Sequence, residues 1–283
     1  MRTTTHDGRA TIVAGEGLID LERASGGLFG PNPTELFERW AEIRAWVASA
    51  DLAAFIEPGE ASGAPSPQPR QVFAIGLNYA DHAAESGVPV PSYPPTFTKF
   101  PTSVCGPGDD LVLPSEFVDW EAELVAVIGV RAYRVRPGDG WSHVAGLTLG
   151  QDYSERDVQL RGAVPQFSLG KSYPGFAATG PVLVSPDELP WRDDLAIECA
   201  VNGEVVQSSR TSQLVFSVAE LVSILSHVCT LLPGDLIFTG TPGGVGFSRD
   251  PARYLRPGDE VVTRIEGIGE MVQRCVPSED VAG

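Results

Sequence analysis

Beyond residue 70 the apolar residues come in short runs broken by Gly, Pro, Asp and Asn, a rhythm that predicts strands more than helices. The runs are QVFAIGLNY, DLVLP, WEAELVAVIGV, GLTLGQDYS, GPVLVSP, LAIECAVNGEVVQSS, DLIFTGTP and DEVVTRIEGIGEMVQRCV. Asn202-Gly203, set between alternating apolar residues, predicts a hairpin. Four Pro-Gly-Asp triplets, in CGPGDD, RPGDG, LPGDL and RPGDE, predict recurrent tight turns in which Gly accepts a positive φ. Two stretches carry a helical period. In PTELFERWAEIRAWVASADL, Leu36, Phe37, Trp40, Ile43 and Val47 share one face behind a start at Pro33 and Thr34. In SVAELVSILSHV, Ser217 and Glu220 have the spacing of a capping box, and Leu221, Ile224, Leu225 and Val228 face inward.

Between these regions EPGEASGAPSPQPR is too rich in Pro and small residues for regular structure. The division expected is a small N-terminal α/β domain at 1–57, a Pro-rich linker at 58–70 and a main domain at 71–283. Many strands, few helices and no regular βα alternation predict an α+β class, mostly β, built on a rolled or sandwiched sheet.

The run DWEAELVAVIG poses an electrostatic problem. Glu121 and Glu123, two apart on a strand, share a face at about 7 Å along the chain, and VAVIG predicts that the strand continues into a core on both faces. Like charges there need open water or a shared hard cation such as Mg²⁺. A second apolar run ends likewise in Asp152, followed by Arg156, Asp157 and Gln159, and Lys171 comes nineteen residues after Asp152. Of twenty basic residues only Lys99 and Lys171 are Lys, and a lone Lys among arginines suits a place that needs a compact, rotatable ammonium.

Composition narrows the partners. A formal charge of −17 disfavours nucleic acid and anionic membranes. No apolar stretch has the length of a signal peptide or membrane span, which places the expected chain in the cytoplasm. Cys105, Cys199, Cys229 and Cys275 stand far apart and predict buried free thiols. Two tempting patterns fail on spacing: LGKS lacks the first Gly of a phosphate-binding loop, whose place is taken by Pro165, and GTPGGVG is no dinucleotide fingerprint.

In order along residues 70–275, GLNYADHAAE, PTSVCGPGD, DWEAELVAVIG, QDYSERDVQ, GKS and GDLIFTGTPGGVG resemble the fumarylacetoacetate hydrolase family. The resemblance implies the mixed-sheet β-sandwich roll of that family. It also implies a Mg²⁺ or Mn²⁺ site at Glu121, Glu123 and Asp152, and a catalytic lysine at Lys171. His82 and Glu85 would form a dyad that activates water. Arg156, Gln159 and Thr241 would contact the substrate, with Arg156 alternatively a structural partner of Asp152 or Asp157. Lys99 would be a structural ion pair or lie on the rim of the site, and Asp119 a non-ligand neighbour whose loss costs less metal affinity than that of either glutamate. Tyr173, Pro174 and Gly175 depart from the Phe-Asp-Thr that often follows Gly-Lys-Ser in relatives. The implied protein is a homodimer and a Mg/Mn-dependent hydrolase of carbon–carbon bonds in ketonic substrates. It would cleave small anionic β-diketo acids of the acylpyruvate or fumarylacetoacetate type through a metal-bound enolate. A decarboxylase, isomerase or hydratase of a 2-oxo acid is the alternative on the same fold.

Overall fold

The computed structural model describes residues 1–85, 87 and 89–278. Every apolar run named above forms a strand, and the strands make two large sheets. The larger sheet has eleven strands. Its middle is, in spatial order, Ala177–Val184, Val144–Asp152, Ala122–Ile128, Leu236–Phe238 and Val72–Ile75. The first four pair antiparallel, and Leu236–Phe238 runs parallel to Val72–Ile75. The second sheet orders Glu204–Arg210, Ala196–Val201, Glu260–Ile265, Gly269–Pro277 and Leu111–Leu113. Mixed pairing and two facing sheets give the expected sandwich.

Period-two alternation explains why the middle strands are apolar throughout. Trp120, Ala122, Leu124 and Ala126 point into a core shared with Ile197, Val261 and Met271 of the second sheet. Val125 and Val127 point the other way, into a second core with Leu36, Phe37, Trp40 and Ile43. Those four come from the amphipathic segment near the N-terminus, which packs on the outer face of the large sheet. That segment is two helices, Pro33–Glu38 and Trp40–Val47, because Arg39 leaves helical geometry at φ −114°, ψ 23°. Asn32 caps the first through the Thr34 N–H at 3.0 Å, and Pro33 occupies the first turn, where its missing N–H costs nothing.

The N-terminal strands Arg2–His6, Arg9–Ala14 and Gly17–Asp20 extend the large sheet, since Arg2 and Thr3 pair with Val184 and Leu183. The capping box at Ser217 and Glu220 is present. So is the Asn202-Gly203 hairpin, both residues at positive φ as a tight two-residue turn requires. The Pro-Gly-Asp triplets diverge from expectation: Gly234 and Gly258 adopt positive φ, whereas Pro137-Gly138-Asp139 opens a 3₁₀ segment reaching His143. The thiols are all free, but Cys105 and Cys229 are only partly covered.

Candidate functional site

Alternation also settles where the acids point. Glu121, just ahead of the strand Ala122–Ile128, and Glu123, within it, continue the alternate positions of Val125 and Val127, so they are the polar end of a buried stripe. Asp152 closes the neighbouring strand opposite Glu121, and its N–H donates to the Glu121 carbonyl at 2.9 Å. One carboxylate oxygen from each of Glu121, Glu123 and Asp152 lies within 4.8 Å of the others, and all three residues are buried. The Gln151 amide fixes the approach from behind, accepting the Glu121 N–H at 2.9 Å and donating to the Thr263 hydroxyl at 2.8 Å.

Cations surround two of these acids and miss the third. Lys171 Nζ stands 2.9 Å from Glu121 Oε2 and 2.8 Å from Asp152 Oδ2. Lys99, fully buried, pairs with the other Asp152 oxygen and donates to the Lys171 carbonyl. Arg156 binds Asp119 through two nitrogens at 2.7 and 3.0 Å, Glu121 Oε1 at 2.7 Å and the Gln159 side-chain Oε1 at 2.8 Å. Burial would raise the Glu121 carboxyl, but Lys171 and Arg156 outweigh it and bring it down to about 2. Lys171 loses from burial and regains more from Asp152 and Glu121, so its ammonium is held above the ordinary lysine range.

Glu123 differs. Among the described residues its side chain accepts a single bond, from the Gly240 N–H at 2.7 Å. Burial, then Asp152 and Glu121, push its carboxyl well above the usual range. A buried carboxylate beside two others, with no ammonium or guanidinium bonded to it among the described residues, is the signature of a place for a further cation. An all-oxygen triad suits a hard divalent ion. The residues present therefore fit Mg²⁺ or Mn²⁺.

A cavity of about 270 Å³ opens onto this cluster. Glu121, Lys171, Arg156, Gln159, Thr241 and His82 all line it, while Glu123 and Asp152 stand behind Glu121 and are covered. Lys171 ends the short helix Phe167–Gly170, which packs against Arg156–Gln159 so tightly that a Cβ on Gly170 would come within 2.6 Å of the Gln159 nitrogen. His82, on the helix Ala80–Glu85, has Nδ1 3.4 Å from Glu85. Glu85 in turn accepts the Gly244 N–H at 3.1 Å, tying this helix to the glycine-rich loop. In that loop Gly240 has φ +101°, and a Cβ would meet Asn78 Cβ at 2.7 Å.

Every candidate site residue is thus within one assembly, though one detail differs from expectation: Arg156 pairs with Asp119 and Glu121, not with Asp152 or Asp157. Asp119 is fully buried and also accepts the Phe247 N–H at 2.7 Å. Of the two readings of Lys99 the ion pair holds, since it meets Asp152 in the interior. The Thr241 hydroxyl is committed to the Ala122 carbonyl at 2.9 Å and to Gln207 at 2.8 Å, which leaves its N–H for a substrate. Sequence reasoning missed the aromatic walls Phe97, Phe167 and Phe247. Nothing in their spacing marks them, because they come from three separate segments.

No helix among the described residues is long and apolar enough to cross a membrane. Comparison with known proteins gives one consistent answer. Residues 71–276 match the family described as Fumarylacetoacetate (FAA) hydrolase C-terminal. The oxaloacetate tautomerase FAHD2A, mitochondrial, of Bos taurus is 46% identical over 215 residues, 75% of this chain and 68% of that protein. A Mycobacterium smegmatis structure, provisionally described as an HpcE protein, superposes with a TM-score of 0.93 at 49% identity, covering 99% of this chain and 100% of the other. The fumarylpyruvate hydrolase of Pseudomonas aeruginosa, solved with Mn²⁺ and pyruvate, gives 0.67 at 34% identity over 74% of this chain and 91% of its own. With its sandwich, its buried acid triad and these likenesses, the chain belongs to the fumarylacetoacetate hydrolase family.

Proposed function

We propose that the chain is a divalent-metal-dependent enzyme that moves a proton at the carbon beside the 2-oxo group of a small 2-oxo acid, interconverting its keto and enol forms. The observation that carries this is the cavity wall itself. The imidazole of His82 shares one small cavity with the ammonium of Lys171, which Asp152 and Glu121 stabilise in its charged form. Tautomerisation needs those two parts: a group that takes and returns a proton, and positive charge where the oxygen becomes negative. Glu121, Glu123 and Asp152 would hold the divalent ion, whose Lewis acidity would act at the 2-oxo oxygen. Around it Glu85 orients His82, Gln159 and the Thr241 N–H receive the substrate carboxylate, and Arg156 fixes Glu121. The 46% identity to an oxaloacetate tautomerase supports this reading.

Hydrolysis of a carbon–carbon bond in a β-diketo acid is the second reading, favoured by the His82–Glu85 contact, which could equally activate water. The likeness to fumarylpyruvate hydrolase supports it. The two separate in one NMR experiment with Mg²⁺ or Mn²⁺ present. Oxaloacetate in D₂O should lose its C3 protons faster with the protein than without it, and acetylpyruvate should not release acetate at a comparable rate. Lys171→Ala should slow the exchange by at least about a hundredfold, as for loss of one oxyanion donor. Unchanged exchange with either metal would exclude tautomerisation, and rapid acetate release would put hydrolysis first.

A further inference from the structure

The far end of the cavity differs in chemistry from its base. At the base, the charges are already matched to one another. All the cationic nitrogens there are bonded: Lys171 to two carboxylates, Lys99 to Asp152, and Arg156 to Asp119, Glu121 and Gln159. The rest of the lining is mostly apolar, with Leu77, Phe97, Leu160, Phe167, Val245 and Phe247 beside the neutral Ser248. Two aromatic rings begin next to the cations. The Phe97 ring lies 5.3 Å from Lys171 Nζ, and the Phe247 ring 5.7 Å from Arg156 Cζ. Phe167 meets Phe97 edge to face, with centroids 5.6 Å apart. Leu160 and Phe247, at 39% and 45% exposure, form the mouth.

A carboxylate carried to this outer half would find no cation. Apart from Lys171, Arg156 and His82, no basic residue lines the cavity among the described residues. The nearest in sequence are turned to other work: Arg161 is paired with Asp157 at 2.5 Å, and Arg249 lies over Trp120 and donates to the carbonyls of Val206 and Gly244. Placing an anion against unpaired aromatic and aliphatic surface forfeits its hydration without replacement, whereas an alkyl or aryl tail is favoured there.

We infer that the preferred substrates of this site carry a single carboxylate at the 2-oxo end and an apolar group beyond the fourth carbon, and that Leu160 and Phe247 select against longer dioates. This rests on the 2-oxo acid reading above and sharpens it. Oxaloacetate is a short dioate whose second carboxylate is the fourth carbon itself and stays near the base, so the selection against longer dioates does not reach it.

The test is calorimetric and needs no turnover. The full chain loaded with Mg²⁺, and separately with Mn²⁺, is titrated with 2-oxohexanoate, 2-oxoadipate and oxaloacetate, the first two having equal carbon counts. 2-Oxohexanoate should bind at least tenfold more tightly than 2-oxoadipate. Leu160→Arg, at a half-exposed position that tolerates the change, should bring 2-oxoadipate to within threefold of 2-oxohexanoate, and Phe247→Arg should act in the same direction. Equal or tighter binding of 2-oxoadipate by the wild type would overturn the inference. So would binding of oxaloacetate without 2-oxohexanoate, which would leave the proposed function standing. If none of the three acids binds, the 2-oxo acid reading itself fails.

Discussion

Glu123 shows how little a single residue reveals of its own role until its neighbours are placed. In the sequence it is one acid of a pair on a strand face. In the structure it is the carboxylate to which no side-chain cation among the described residues is bonded, beside two others in the interior. Without metal this arrangement costs stability, because a buried charge meets like charge in a low dielectric. Glu123→Gln should therefore leave the metal-free protein at least as stable as the wild type in urea, while abolishing the rise in melting temperature that Mg²⁺ produces. Saturation at a hundred times the dissociation constant is worth about 2.7 kcal/mol to the wild type. A variant that lost stability without metal, or kept the metal-induced rise, would contradict this account. The spacing of Glu121, Glu123 and Asp152 was legible because strand alternation is a strict rule. The ion pairs of Lys99, Arg156 and Asp119 were not, since each is a contact across at least 35 residues of chain that no local pattern encodes.

Elements were read best where one face is buried. Strand runs, the hairpin and the capping box follow from period and turn chemistry, and each is present. The segment predicted as one helix divides at Arg39, which leaves helical geometry while Leu36, Phe37, Trp40 and Ile43 on either side of it bury in the same core, so packing overrides local propensity. The short helices Arg156–Gln159 and Phe167–Gly170 escape periodicity altogether, at four residues each. They are nonetheless the elements that bring Arg156, Gln159 and Lys171 to the cavity, and Gly170 sets their separation. Gly170→Ala should push them apart, at a cost of about 1–3 kcal/mol from overpacking. It should also lower kcat more than a surface substitution of equal destabilisation, because Lys171 follows directly. Thermal denaturation and steady-state kinetics on the same preparation would check both parts.

At the scale of the whole molecule, the first 57 residues extend the large sheet and cover its outer face. We propose that they fold only with the main body. Their strands continue its hydrogen bonding at Val184 and Leu183, and their helices seal Val125 and Val127 from behind the acids. Removing residues 1–57 should expose that apolar face and yield aggregated protein on size-exclusion chromatography. A soluble, cooperatively unfolding remainder would restore the picture of an independent domain. The fold as a whole was legible because its strands alternate and its turns are marked. The shape of the cavity was not, as its walls converge from separate segments around residues 77, 97, 160, 167 and 247.

The three acids, by contrast, sit on two successive strands that pair directly with each other. Such a pair closes a modest loop, so it can assemble before the distant segments that roof the cavity arrive. The ion should then act on the rate of folding as well as on the final balance: in stopped-flow refolding, Mg²⁺ should accelerate the folding arm of the chevron and leave the unfolding arm nearly unchanged. An effect confined to unfolding would mean that the acids come together last.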